Sequence, residues 1–441
     1  MDLSTTLSAI PSWVFIYGLP VGLIIVFYVM RKKRLHHHSS AALSETLEAG
    51  LTEPASLHPV IDPNKCLGCA ACVKACPEKQ ILGLIGGKAQ LINPTSCVGH
   101  GACATACPFT AITLVFGTEK RGVDIPMVKP NFETNIPGIF IAGELGGMGL
   151  IRNAIRQGVE AIDSVKQMTR KKGSDYLDVV IIGAGPAGIA ASLAAMKEKL
   201  KFVTLEQDSF GGTVSHFPRG KIVMTAPADL PIIGKMQFRE TSKENLMQFW
   251  EDMRAKTGLK INTQERVDKI EQNENGFTIT SSKGTYQSHA VLLSIGRRGT
   301  PRKLGVPGEE LSKVVYRLID PEQYQNQKVL VVGGGDSALE AALSISEEPG
   351  TEVTISYRSE AFSRAKPKNR DKTQAAIDSG QLKVYMKSNV NSISASSVLL
   401  DQEGKEFEIP NDAVIVNAGG ILPTAFLKSI GIEVETKFGT A

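Results

Sequence analysis

The thiols of this chain lie in one short window and nowhere else. They are Cys66, Cys69, Cys72, Cys76, Cys97, Cys103 and Cys107. Scattered cysteines suggest disulfides, whereas clustered ones suggest metal chemistry. The first four stand in "CLGCAACVKACP", a Cys-x2-Cys-x2-Cys-x3-Cys-Pro run. Small residues (Gly68, Ala70, Ala71) let the backbone wrap a polyatomic centre and aim several thiolates at it. Pro77 ends the short helix predicted there and releases the fourth cysteine. A structural zinc site prefers paired Cys-x2-Cys units set further apart. A second copy, "CVGHGACATACP", aligns Cys97, Cys103 and Cys107 with cysteines of the first and places His100 where Cys69 stands.

Two glycine-rich stretches form the next chemical signal. "YLDVVIIGAGPAGIAASLAAMKEKLKFVTLEQD" reads as strand, loop, helix, strand. Gly183, Gly185 and Gly188, with Ala187 beside them, make G-x-G-x-x-G after a β-branched run. Glu206 ends the second strand. Such glycines let backbone N–H groups approach a pyrophosphate at a helix N-terminus, and an acid at this distance suits a free ribose diol. "QKVLVVGGGDSALEAALSISEEPGTEVTISYRSEAFSR" repeats the plan. Gly333, Gly335 and Ala338 form G-x-G-x-x-A, with Asp336 and Ser337 opening the helix. Its second strand ends not in a lone acid but in Arg358, with Arg364 a few residues on. Guanidinium groups there suit a 2′-phosphate, which favours NADPH over NADH. NADH stays the second choice, because Ser359 and Glu360 weaken the basic run.

The cysteine window resembles a two-cluster bacterial ferredoxin domain over about residues 59–117, with one cysteine exchanged for histidine. The resemblance implies one cluster on Cys66, Cys69, Cys72 and Cys107. It implies a second on Cys97, Cys103 and Cys76, with His100 at the remaining corner. Three readings of His100 stay open. It ligates a [4Fe-4S] cluster, or the cluster is [3Fe-4S], or His100 faces solvent while water or another residue caps the iron. Imidazole is a good iron ligand, and Gly99 and Gly101 let the ring swing.

The two nucleotide units, with "SIGRRGTPRKLGVPGE" between them and "VIVNAGGILPT" after the second, resemble the thioredoxin-reductase-like flavoproteins over about residues 129–441. The resemblance implies FAD on the first unit and NADPH on the second. It implies a closing FAD segment after the second unit, and that segment, "FETNIPGIFIAGELGG", stands upstream at residues 132–147. The order is that of a circular permutation, with Gly143 and Glu144 expected to reach the FAD. Glu144 departs from the aspartate usual at this place. No Cys-x-x-Cys stands in the second unit and no cysteine in "GAGPAG", so flavin-coupled thiol chemistry is excluded unless the iron–sulfur ligands provide it.

The expected fold class is α/β: two Rossmann-like units of two-dinucleotide flavoprotein type, a small α+β ferredoxin-like domain and one transmembrane helix. The expected boundaries are 1–34 anchor, 35–58 linker, 59–117 ferredoxin domain, 118–170 permuted FAD segment, 174–304 FAD domain, 305–417 NAD(P)H domain and 418–441 return to the FAD domain. The anchor rests on Pro11 to Met30, free of charge and roughly 30 Å long as a helix. Trp13 and Tyr28 stand near its ends, and Arg31, Lys32, Lys33 and Arg34 follow it. By the positive-inside rule this predicts a single-pass protein of the inner (cytoplasmic) membrane with its catalytic domains cytoplasmic. His36 to His38 read as a solvated run rather than as metal ligands. A net charge of +4 with 42% hydrophobic residues is too mild for nucleic-acid binding.

The cofactors together predict an oxidoreductase in which electrons pass from NADPH through FAD to the clusters and on to a redox partner protein or a quinone, or in reverse to NADP. No acid–base residue is required. A redox-sensing module without turnover and a small-molecule reductase with substrate at the flavin are the alternatives, and a homodimer is the expected assembly.

Overall fold

The structure is a computed structural model. It describes residues 14–48, 52–54, 57–78, 80–97, 99–119, 122–147, 149–168, 175–224, 227–238, 240–297, 299–363 and 365–439. The chain divides into two compact units. One holds the N-terminal helix and His58–Val115, and the other runs from Phe116 onward.

In the first unit, His58–Ile61 pairs antiparallel with Ile112–Val115, and Leu82–Ile85 forms a hairpin with Lys88–Leu91. Two short helices, Ala71–Ala75 and Ala102–Thr105, each follow a left-handed residue, Ala70 at φ 61° and Gly101 at φ 74°. These positions correspond in the two cysteine motifs, so the sequence repeat is a repeat of backbone conformation. Ile81, Leu82, Ala89 and Ala111 form the core together with Cys66, Cys72 and Cys103.

A helix, Leu19–Glu48, precedes this unit after a π-helical turn at Val14–Gly18. Its later half is no linker, as residues 35–58 were expected to be. Ser39 and Thr46 are buried, and Thr46 Oγ1 donates to Ile92 O at 2.9 Å. His36 Nδ1 accepts the Gly86 N–H at 3.2 Å. The helix lies against Leu82–Ile85 of the hairpin.

The membrane anchor and the single-pass, inner-membrane location are corrected here. Among the described residues no helix is long and apolar enough to cross a membrane. Within the helix the apolar part, Leu19 to Met30, spans about 18 Å, short of the roughly 30 Å a bilayer core requires. The helix then continues unbroken through Arg31–Arg34 and the three histidines to Glu48. Pro11 to Trp13 of the expected span lie outside the described residues.

The second unit contains two sheets of the doubly wound kind. In the first, the order is Val267–Asn273, Gly276–Ser281, Thr285–Leu293, Leu177–Ile182, Phe202–Leu205. Ile139–Ile141 joins it by pairing parallel with Val291–Leu293. Thus the segment upstream of the first glycine loop supplies a strand to that loop's own sheet. The helices Ile151–Gln167 and Pro186–Lys197 pack on each other, and Phe140, Ala161, Ile162, Ile181, Ala191 and Leu292 share one core. The second sheet is parallel throughout: Val314–Val315, Ala413–Val416, Lys328–Val332, Glu352–Tyr357, Leu382–Met386. A three-stranded antiparallel meander, Ser388–Ile393, Ser397–Gln402 and Lys405–Pro410, follows it. Finally, Val434–Lys437 pairs antiparallel with Val123–Pro126. The fold is the mixed α/β arrangement with Rossmann-type domains that the motifs predict.

Candidate functional site: two nucleotide loops and a cysteine cavity

The strand Leu177–Ile182 delivers Gly183 at φ 101°, where a Cβ would lie 2.5 Å from Ser294 O. Ser294 Oγ donates to Ile182 O and Gly183 O, both at 2.9 Å, and so pins the loop. A Cβ on Gly188 would strike Gly183 O at 1.8 Å, which brings the helix close to the loop. Gly185 differs: no atom lies within 4 Å of where its Cβ would be. It caps the helix Pro186–Lys197, so open space meets a helix N-terminus, the cradle a pyrophosphate requires. Glu206 is buried, its two carboxylate oxygens accepting Ala184 N–H at 2.7 Å and Asp208 N–H at 2.9 Å. Burial pushes its pKa up, against the pull of those N–H groups. The residues fit an FAD dinucleotide, which when bound supplies hydride and single-electron chemistry.

Gly143 reaches the same place from the upstream segment. It adopts φ 84°, and a Cβ there would lie 3.0 Å from Ala187 Cβ. Its N–H donates to Gln157 Oε1 at 2.8 Å. Glu144 opens the turn Glu144–Gly146, and its side chain lies against Gly149. Gln157 was not foreseen; nothing in its local sequence marks a polar residue that fastens a distant turn.

In the second unit a Cβ on Gly333 would lie 2.4 Å from Asn417 O, and Gly334 packs on the Tyr357 ring. Gly335 again caps its helix, Asp336–Ser346, with nothing within 4 Å of its Cβ position. Ser337 is the second residue of that helix. Asp336 Oδ1 accepts from Lys366 N and from Asn369 Nδ2, each at 2.8 Å, so this carboxylate fastens the start of the helix Pro367–Asp378. Arg358 follows the strand Glu352–Tyr357 and is exposed. Arg364 lies outside the described residues. Glu360 is 3.5 Å from Lys387 Nζ, a partner the sequence did not indicate.

Cys66, Cys69, Cys72 and Cys107 line one cavity, with Ile61, Leu67, Phe109 and Ile112 among its apolar walls. Ala89 N–H donates to Cys66 Sγ and Ala111 N–H to Cys107 Sγ, both at 3.4 Å. Burial pushes the Cys72 thiol up to about 11, with Cys66 and Cys69 adding to the rise. The other three thiols form a second group. Burial raises Cys97 and Cys103 first, and the proximity of Cys76 raises both further. Cys76, from the first motif, therefore stands with the second motif. Among the described residues no three His, Cys, Asp or Glu side chains converge closely enough to hold a single metal ion. Thiols spread around an apolar cavity, with N–H groups aimed at sulfur, fit a polyatomic iron–sulfur centre better than zinc. His100 Nε2 lies 4.0 Å from Glu78 Oε1, and the Glu78 charge also acts on Cys76 and Cys97.

A 4Fe-4S dicluster domain matches residues 58–108. The chain is 27% identical to a ferredoxin–NADP reductase of Ignicoccus hospitalis over 268 residues, 59% of this chain and 83% of that one. It is 26% identical to the bacilliredoxin reductase Bdr of Bacillus subtilis, over 59% of this chain and 82% of that one. Among solved structures, bacillithiol disulfide reductase Bdr of Staphylococcus aureus shares the fold, with a TM-score of 0.53 and 24% identity over 59% of this chain and 82% of that one. Pyridine nucleotide-disulphide oxidoreductase matches residues 180–439, more than half of the chain. The chain belongs to that family, as an FAD-dependent oxidoreductase that also carries a 4Fe-4S ferredoxin domain.

Proposed function

We propose that the protein exchanges electrons between NADPH and two iron–sulfur clusters by way of FAD, and between the clusters and a redox partner protein or a quinone. The observation that carries this reading is the cysteine cavity, in a chain whose cysteines are all committed to the cluster window. Relatives named ferredoxin–NADP reductase pair the same flavoprotein type with ferredoxin, and here a ferredoxin domain is part of the chain. Gly183, Gly185, Gly188 and Glu206 hold the FAD dinucleotide, and Gly143 closes the site from upstream. The FAD domain is read as circularly permuted, because Ile139–Ile141 occupies a place in its sheet while preceding it in sequence. Gly333, Gly335 and Arg358 hold NADPH. Cys66, Cys69, Cys72 and Cys107 hold one cluster; Cys76, Cys97 and Cys103 hold the other, with His100 beside it.

Disulfide reduction, which the names of some relatives describe, needs a thiol at the flavin. Ala184 and Pro186 stand in the glycine loop, and every cysteine lies between 66 and 107. Anaerobic titration with NADPH, followed by EPR, tests the proposal. Stepwise reduction of flavin and then of clusters is expected. Clusters that stay oxidised after NADPH has reduced the flavin, while reduced ferredoxin reduces the clusters and leaves NADP oxidised, would remove the proposed chain.

A further inference from the structure

The second strand of a dinucleotide-binding unit ends beside the adenosine ribose, where its last residues read the 2′ position. Here that strand, Glu352–Tyr357, runs into Arg358, Ser359 and Glu360. A guanidinium favours a 2′-phosphate. A free carboxylate two residues on repels it and suits a ribose diol instead.

The next strand resolves the conflict. Leu382–Met386 pairs parallel with Glu352–Tyr357, and Tyr357 stands opposite Met386. The residue that follows, Lys387, is therefore delivered beside the same turn. Its N–H donates to Ser359 O at 3.2 Å, and it adopts φ 51°. Its ammonium lies 3.5 Å from Glu360 Oε1 and 3.2 Å from Glu403 Oε1. Glu403 comes from the tight turn between Ser397–Gln402 and Lys405–Pro410. Backbone and side chain of Lys387 thus both hold the turn that carries Arg358. An exposed ion pair of this kind contributes little to stability. What it changes is the Glu360 charge, which when uncompensated would repel a phosphate brought to Arg358 within a Debye length.

We propose that Lys387 is a specificity-determining residue for the nucleotide. By holding and neutralising Glu360 it lets the 2′-phosphate of NADPH settle at Arg358. This rests on the NADPH reading of the second unit. It predicts that the preference is set through Glu360 rather than by a direct contact of Lys387 with phosphate.

The test uses the full chain with its cofactors and needs no turnover. Calorimetry measures adenosine 2′,5′-bisphosphate against 5′-AMP. Lys387→Gln should weaken the bisphosphate about fivefold and leave 5′-AMP nearly unchanged. Lys387→Arg should retain the wild-type ratio. Glu360→Gln should strengthen the bisphosphate, and in that background Lys387→Gln should change it less than about twofold. A loss of equal size in both backgrounds overturns the inference, because Lys387 then acts on the phosphate directly. An unchanged ratio in Lys387→Gln overturns it as well. If the wild type shows no preference for the bisphosphate and Arg358→Ala changes nothing, the NADPH reading itself fails and the inference falls with it.

Discussion

Lys437 pairs with Val123 across an antiparallel ladder, although almost the whole second unit lies between them in sequence. The ladder continues to Val434 and Pro126, and Met127 N–H donates to Glu433 O at 2.8 Å. Just downstream, Asn135 Nδ2 donates to Gly431 O at 2.9 Å, and Asn135 Oδ1 accepts the Glu433 N–H at 3.0 Å. A strand pair of this register is what a hairpin leaves when its turn is cut and the chain is rejoined elsewhere. On the permuted reading proposed above, the FAD segment would be held in place by pairing instead of by connection, and permutation would cost the fold little.

The first prediction concerns that join. A Cβ on Gly158 would lie 2.2 Å from Ala187 O, so Gly158→Ala must separate the helices Ile151–Gln167 and Pro186–Lys197. Overpacking of this kind costs about 1–3 kcal/mol. The variant should melt lower and lose flavin on gel filtration. Gly146→Ala is the control, since its Cβ would meet only Ile141 Cγ2 at 3.7 Å. Equal retention of flavin by both proteins would show that the upstream segment does not complete the site.

Cys76 sits in the first cysteine motif, but its charge acts on Cys97 and Cys103. Cys76→Ala should therefore remove the cluster of the second motif and spare that of the first. Cys107→Ala should do the reverse, because Cys107 lines the cavity with Cys66, Cys69 and Cys72. Each variant should retain about half of the iron, with distinct EPR signals remaining. Loss of the same signal in both contradicts the crossed assignment.

Much of this arrangement is legible in the sequence, because spacing encodes it locally. The two glycine loops and the paired cysteine motifs follow from residue type at fixed intervals, whereas the left-handed Ala70 before Cys72 does not, since alanine disfavours that conformation. The helix through residues 35–48 does not. Its buried residues include Ser39 and Thr46, and Thr46 is satisfied by hydrogen bonds, so hydrophobic periodicity carries no trace of it. The apolar run before it reads as a membrane span from its residue count, yet among the described residues no helix is long and apolar enough to cross a membrane. Asp336 and Glu360 sit where a nucleotide would be read, yet their partners come from later elements: Lys366 and Asn369 from the start of the helix Pro367–Asp378, and Lys387 from the turn after Leu382–Met386. Only the folded chain brings those together.

The burial of His216 beside Arg317 predicts an acid limb of stability. His216 Nε2 lies 2.9 Å from Asp208 Oδ2, and Arg317 approaches the same oxygen at 3.6 Å. Burial lowers the His216 pKa first and Arg317 lowers it further, while Asp208 opposes them. The folded value lies below the ordinary 6.5, so the unfolded chain binds the proton more readily. The stabilisation is present above that pH and is lost as pH falls through it, at no more than about 1.4 kcal/mol per unit. Chemical denaturation of the wild type should weaken below that point, and His216→Gln should flatten this limb. A parallel decline in both proteins assigns the acid sensitivity to other groups.

His100 replaces the one cysteine that the second motif lacks, and it supports the sharpest prediction about the clusters. A neutral imidazole in place of a thiolate removes negative charge from the cluster, so its potential should be the higher of the two, as histidine ligation makes Rieske centres. Glu78 lies 4.0 Å from His100 Nε2. A carboxylate beyond a ligating imidazole commonly orients the ring and makes it a stronger donor. His100→Cys should then lower the potential of the second cluster and leave the first unchanged. Glu78→Gln should also shift the second cluster alone, by less, since it removes an orienting charge and no ligand. Redox titration monitored by EPR reads both, and iron analysis of freshly purified wild type should give two complete four-iron clusters. A three-iron signal in fresh protein means that the fourth iron is absent, and a His100→Cys titration that overlays the wild type leaves that iron to solvent or to another residue; either result excludes His100 as the ligand.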